Sequence, residues 1–188
     1  MGNRIQFSDT RINGLIRLDR RMVSDKRGFL SRLFCAEELS EIGYAASIQQ
    51  INYTVTKKKG SVRGMHYQMP PHSETKIVTC VQGRVFDVAV DIRLGSPTFL
   101  NWHGEVLSSD NHASLFIPDG FSHGFQTMTD DCHLVYMHSN LYVPGAEGAL
   151  NAVDPTLDID WPLDISEMSD RDRRHPFIGS NFIGVQLS

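Results

Sequence analysis

The runs Lys76–Val81 and Arg84–Ile92 constrain the fold more than any other part of the chain. Both are rich in β-branched residues, and Gln82-Gly83 between them is a hairpin signal. In the second run Phe86, Val88, Val90 and Ile92 share one face, and Val85, Asp87, Ala89 and Asp91 share the other. Two carboxylates on one face of a central strand need partners if they are buried; the alternative is that this face is solvated.

Similar short runs recur along the chain. Ile48–Thr56, Trp102–Leu107, Ala113–Ile117 and Cys132–His138 read as strands, and Gln50, Asn52 and Thr54 fall on one face of the first. Residues 3–18 alternate loosely, which predicts short strands on either side of Asn13-Gly14. The convincing helix is Ala36–Ile42, with acids in its first turn, Leu39 and Ile42 three apart, and Gly43 as its stop. After Pro144 the periodicity fades. Residues 144–176 read as irregular coil packed on the body, with one short helix near 166–174. Short strands separated by turns, with little helix, predict an all-β protein: a double-sheet jelly roll with short peripheral helices. The 188 residues suit a single domain over 1–188, with 144–188 as its irregular C-terminal segment.

Composition excludes several functions. A net charge of -4 offers no electrostatic footprint for nucleic acid, and Lys57-Lys58-Lys59 before Gly60 reads as a solvated turn. Cys35, Cys80 and Cys132 are odd in number and lack C-x-x-C spacing, which argues against a disulfide framework or a cysteine zinc site. No apolar leader and no run of membrane-span length is present, so the expected setting is cytoplasmic and off the membrane.

The chemistry-bearing stretch is Arg63-Gly64-Met65-His66-Tyr67-Gln68. As a regular strand it turns Arg63, Met65 and Tyr67 one way and Gly64, His66 and Gln68 the other. Downstream, Pro118-x-Gly120-x-x-His123-x-Phe125 resembles the second motif of the cupin jelly rolls. Metal cupins pair that histidine with an H-x-H, which Tyr67-Gln68 after His66 does not supply. A metal site would have to be improvised from His66, His72, Glu74 and His123. Without a metal, a barrel pocket holding His66, Lys76, Tyr136 and a carboxylate suits proton abstraction beside a carbonyl. A neutral imidazole takes the carbon-bound proton, a carboxylate steadies the imidazolium, a lysine holds the enolate oxygen, and a phenol returns a proton from the other face.

A larger set of strings carries a family resemblance. They are Arg27-Gly28-Phe29, Gln50-x-Asn52, Arg63 to Gln68, Lys76, Gly83 to Arg93, Ser96-Pro97-Thr98, Ile117 to Phe125, Tyr136, Asp154-Pro155, Trp161-Pro162 and Ser169-x-Arg171-Asp172. In this order, from about residue 4 to 177, the chain resembles the dTDP-4-dehydrorhamnose 3,5-epimerase family, metal-independent cupins that act on sugar nucleotides. The resemblance implies His66 as general base, Asp172 as its partner, Tyr136 as general acid and Lys76 as the enolate stabiliser. It implies Arg63 and His123 at the diphosphate or sugar, Gln50 and Asn52 lining the site, Tyr142 stacked on the base, and Arg27, Arg32, Glu147 and Arg171 at further binding positions. It also implies no cofactor, a homodimer with an exchanged N-terminal strand, and a role in deoxysugar or surface-polysaccharide synthesis.

The chain departs from the family pattern at the base end. Arg32 stands where a glutamate usually meets thymine, and an arginine cannot accept a ring N–H. Ile51 replaces an aspartate, and Gly148 to Ala152 replace Arg-Gly-Ile-Arg-Trp. The expected substrate is therefore a nucleotide-linked 4-keto-6-deoxy sugar with its base left open. The rival readings are a metal cupin, such as a dioxygenase or isomerase, and a sugar-nucleotide binding protein without catalysis.

Overall fold

The structure is a computed structural model that describes residues 3–187. Thirteen strands and two short helices follow in chain order: β1 (Ile5–Asp9), β2 (Ile16–Arg20), β3 (Met22–Asp25), β4 (Gly28–Ser31), α1 (Ala36–Leu39), β5 (Gln50–Thr56), β6 (Val62–Gln68), β7 (Lys76–Gln82), β8 (Arg84–Asp91), β9 (Trp102–Ser108), β10 (Ala113–Ile117), β11 (Phe121–Thr127), β12 (Cys132–His138), β13 (Glu147–Ala149) and α2 (Asp170–Arg173). They form a six-stranded sheet in the order β1-β2-β10-β7-β12-β5 and a five-stranded sheet in the order β13-β6-β11-β8-β9. The hairpin β3-β4 stands apart as a two-stranded ribbon. The fold is thus the predicted all-β double sheet, closed by antiparallel pairing.

The alternation in β8 explains the layering. Its Val85 and Ala89 join Val78, Cys80, Leu107, Leu115, Phe125 and Leu134 between the sheets. Its Val88 and Val90, with Ile92 just beyond, face the other way and are covered by Leu150, Leu157 and Met168 from the C-terminal segment. A third cluster, Ile77, Phe116 and Met137 against Leu39 and Tyr44, covers the outside of the larger sheet. Each sheet is therefore buried on both faces over much of its area, and Asp87 and Asp91 are fully buried rather than solvated. Asp91 accepts from Arg93, Ser96 and Thr98. Asp87 is taken up by His123.

The predicted helix at Ala36–Ile42 is an α-turn over Ala36–Leu39 continued as a 3₁₀ turn over Ser40–Ile42, and Gly43 ends it in the left-handed region at φ 81°. The C-terminal segment is mostly irregular, as expected, but it also contributes the edge strand β13. Main-chain bonds sew it to β6: Val62 N–H donates to Glu167 at 2.8 Å, and Met65 and Leu150 exchange bonds at 3.2 and 2.9 Å. Buried Gln126 holds Leu163 from both ends of its amide, at 2.7 and 3.0 Å. Among the described residues, no helix is long and apolar enough to cross a membrane.

Candidate active site

The strand β6 is not regular, and this corrects the parity expected of it. His123 on β11 pairs with His66, but Phe125, two residues on, pairs with Arg63, three residues back. One extra residue on β6 at this bulge flips the alternation. Arg63 and His66 consequently face the same cavity instead of opposite sides. The bulge needs two glycines. A Cβ on Gly64, whose φ is 130°, would meet the Gly124 Cα at 2.5 Å, and one on Gly124 would meet the Met65 sulfur at 2.5 Å.

The cavity, of about 280 Å³, lies between the sheets at one end. It is lined by Asn52 and Thr54 from β5, Arg63 and His66 from β6, Lys76 from β7, His123 and Phe125 from β11, Tyr136 and His138 from β12, and Arg171 from α2. A second hollow shares Arg63, His66 and Arg171 and runs along Ser61, Glu167 and Ser169.

His66 Nε2 lies 2.9 Å from Asp172 Oδ1. Asp172 is buried, and Ser169 caps its short helix by accepting from the Asp172 N–H at 3.1 Å. Burial works to raise the Asp172 pKa, but the His66 hydrogen bond and charge, with Ser169 and Arg171, outweigh it and hold the pKa at about 2. The residue is therefore a carboxylate that only accepts, so Nε2 of His66 carries the proton and Nδ1 keeps the lone pair. Arg171 Nη2 stands 3.1 Å from the same His66 nitrogen, a contact between two donors, and Arg171 Nη1 donates to Glu147 Oε2 at 3.1 Å.

Facing His66 across the strand pair, His123 Nε2 contacts both Asp87 oxygens at 3.1 and 2.9 Å. Burial pushes the Asp87 carboxyl up, and His123 and Lys76 oppose that. Tyr136 stands edge-on to the His123 ring at 5.9 Å. Burial, aided by the Asp87 charge, drives the Tyr136 phenol well above its ordinary value, so it remains a proton donor at neutral pH. Lys76 Nζ lies 3.2 Å from Glu74 Oε1 and 3.5 Å from the His66 carbonyl.

Most of the sequence-predicted set meets here. His66, Lys76, Tyr136, Asn52, Arg63, His123 and Arg171 line the cavity, and Asp172 stands behind His66. A chain of contacts runs along the rim: the Tyr142 N–H donates to Gln50 at 3.2 Å, the Tyr142 hydroxyl bonds Glu147 at 3.0 Å, and Glu147 takes Arg171. Arg27 and Arg32 are not brought there by this chain. Arg27 pairs with Asp25 on the exposed β3-β4 hairpin, and Arg32 pairs with Glu38. Ile51 is exposed on the face of β5 away from Asn52. From sequence, His138 and Asp87 have no role, and Glu74 has only a place in the improvised metal set. His138 follows Tyr136 by two in the same strand, so strand parity was the signal that could have found it.

The set improvised for a metal does not assemble, because Glu74 is committed to Lys76 and His138, and His123 to Asp87. A different trio, His66, Asp172 and His175, offers ligand atoms within 4.8 Å of one another. The Arg171 guanidinium beside His66 puts positive charge where an ion would sit.

Comparison with known proteins gives the chain a family. The family model described as dTDP-4-dehydrorhamnose 3,5-epimerase matches residues 9–179. The dTDP-4-dehydrorhamnose 3,5-epimerase of Shigella flexneri is 38% identical over 87% of this chain and 90% of its own. A dTDP-6-deoxy-D-glucose-3,5-epimerase from Legionella pneumophila, solved with dTDP-4-keto-L-rhamnose, superposes with a TM-score of 0.90 at 34% identity, covering 98% of this chain and 100% of its own. ChmJ, a 3′-monoepimerase from Streptomyces bikiniensis solved with dTDP-quinovose, superposes at 0.83 with 34% identity over 89% of this chain and 85% of its own. A fold and sequence shared along nearly the whole chain, around a cavity with an imidazole–carboxylate pair and a partly buried phenol, place this protein in the dTDP-4-dehydrorhamnose 3,5-epimerase family, among the epimerases of the isomerase class.

Proposed function

We propose that the protein inverts C3, C5 or both of a dTDP-linked 4-keto-6-deoxy sugar, in the cytoplasm, as a step in deoxysugar synthesis. The observation that carries this reading is the 2.9 Å pairing of His66 with Asp172 on a cavity also lined by Lys76 and Tyr136. His66 removes the proton from the carbon next to the ketone. The C–H electron pair becomes the enolate, whose oxygen Lys76 holds by charge and hydrogen bond. Tyr136 gives its proton to the opposite face of that carbon, which inverts it, and regains a proton from solvent while His66 releases its own. Arg63, which has no carboxylate partner among the described residues, and Arg171 supply positive charge for the diphosphate. No metal or other cofactor takes part in this scheme.

The working unit in this reading is a homodimer. The β3-β4 hairpin, with Val23, Phe29 and Leu30 exposed beside Arg27, lies outside the cavity, and a second chain would give it a surface to cover. The strand β1 pairs with β2 of its own chain.

The test is solvent deuterium incorporation into the sugar nucleotide, read carbon by carbon, with dTDP-, GDP- and CDP-linked 4-keto-6-deoxy sugars compared. Exchange at C3 alone assigns a mono-epimerase, and exchange at both carbons a double one. No exchange with any of the three ends the reading. Preference for GDP or CDP would follow the departures at Arg32 and Ile51 and would replace thymidine as the base.

A further inference from the structure

Across the cavity from His66, β12 carries another histidine with a carboxylate behind it. His138 follows Tyr136 on the same face and stacks on it, with ring centroids 6.1 Å apart and planes 29° from parallel. Its Nδ1 lies 2.8 Å from Glu74 Oε2, while Glu74 Oε1 holds Lys76 at 3.2 Å. Both partners are nearly covered, with side-chain exposures of 11% and 8%. Burial raises the Glu74 pKa, but His138 and Lys76 outweigh it and leave the group below its ordinary value. An ionised carboxylate only accepts, so the His138 proton sits on Nδ1 and the lone pair on Nε2. Among the described residues, the polar neighbour of Nε2 is the Asn52 Nδ2 amide, a donor, at 3.3 Å, a long bond that a substrate hydroxyl can replace at the single lone pair.

The wall shared by Tyr136 and His138 is where the sugar lies in the reading above. Lys76, Arg63 and Arg171 offer it only donors. His138 Nε2 adds an acceptor of fixed direction, and a sugar hydroxyl is the donor that it fits. We infer that His138 is a specificity-determining contact whose Nε2 accepts a hydrogen bond from a ring hydroxyl of the substrate. Glu74 is a positioning residue: one oxygen fixes the His138 tautomer, and the other aims Lys76. The inference rests on the epimerase reading.

The test measures Kd by calorimetry for the dTDP-linked 4-keto-6-deoxy sugar and for dTDP alone, with deuterium exchange recorded on the same samples. His138→Gln places an amide oxygen near the position of Nε2; His138→Asn reaches only the position of Nδ1. His138→Asn should lose roughly five- to tenfold in affinity for the sugar nucleotide, the worth of one hydrogen bond, with dTDP affinity unchanged. His138→Gln should keep wild-type affinity to within about twofold. Equal losses for both ligands, or none in His138→Asn, would overturn the assignment. An arm that needs no variant uses sugar nucleotides lacking the C2 or the C3 hydroxyl. One of them should bind the wild-type protein more weakly by the same factor, and full affinity for both would overturn it. Wild-type protein that binds the sugar nucleotide without exchanging deuterium sinks the epimerase reading alone; protein that binds neither ligand sinks both.

Discussion

His66 and His123 stand directly opposite each other on β6 and β11, and each turns Nε2 to a carboxylate from a different part of the chain. Asp87 comes from the neighbouring strand and is sealed in the barrel. Asp172 comes from a short helix far along the chain and sits at the cavity edge. One imidazole is thus fixed by the sheet, and the other by a segment laid over it.

That difference predicts which histidine carries proton transfer. His66→Ala should abolish deuterium exchange at the sugar carbons. Asp172→Asn should lower the exchange rate by about 10²–10⁴, the usual range for disabling a general base. NMR of the product after incubation in heavy water measures both, and a normally exchanging His66→Ala protein would place the base elsewhere.

Tyr136→Phe should separate two events that coincide in the wild type. Abstraction by His66 needs no phenol, so some exchange should persist. Return of a proton to the opposite face does need it, so inverted product should fall below detection. A Tyr136→Phe protein that completes inversion would exclude the phenol as the acid.

The depressed pKa of Asp172 has a stability consequence with a definite sign. A carboxyl held at about 2 in the folded state, against an ordinary 3.8, stabilises the fold above its unfolded pKa and loses that contribution as pH falls through 2. The stability gap between wild type and Asp172→Asn should therefore be constant at neutral and mildly acid pH. It should narrow only below the ordinary carboxylate range. Urea unfolding at a series of pH values measures it, and a gap already closed at about pH 5 would contradict the pairing with His66.

Gly64→Ala and Gly124→Ala each force a methyl into a neighbour at 2.5 Å. Each should cost about 1–3 kcal/mol, in the range for overpacking a filled site. Because the bulge also sets the direction of His66 and Arg63, activity should fall by more than the loss of folded protein accounts for. Thermal denaturation alongside activity per folded molecule separates the two effects.

The thiols should divide by burial. Cys80 and Cys132 are fully buried, and burial pushes the Cys80 thiol up to about 12. Alkylation of the native protein should label Cys35, which is partly exposed, and spare the other two until the protein unfolds.

Much of this was legible in the sequence because alternation reports burial directly. The faces of β8 and the shared face of Gln50, Asn52 and Thr54 follow from a period of two. The parity of β6 did not, because a bulge depends on the partner strand and leaves only a glycine as a trace. The burial of Asp87 and Asp91 was open for a related reason: a strand covered on both faces looks like one solvated on a polar face until its partners are known. His138 was missed because a histidine in a strand gives no sign of the glutamate sixty-four residues earlier that orients it. Arg27 matches the family pattern and Arg32 departs from it, yet both lie off the cavity, which no single-chain periodicity reports.

The proposed pairing of His66 with Asp172 has a consequence for synthesis, because the two lie 106 residues apart. Ribosomes release the N-terminal part first, and the barrel strands through β12 are complete by residue 138. A growing chain of that length already owns His66, Lys76 and Tyr136 but has nothing to orient the imidazole. In the proposed mechanism competence waits for the short helix at Asp170–Arg173, so products that stop short of it should be catalytically silent even where they fold.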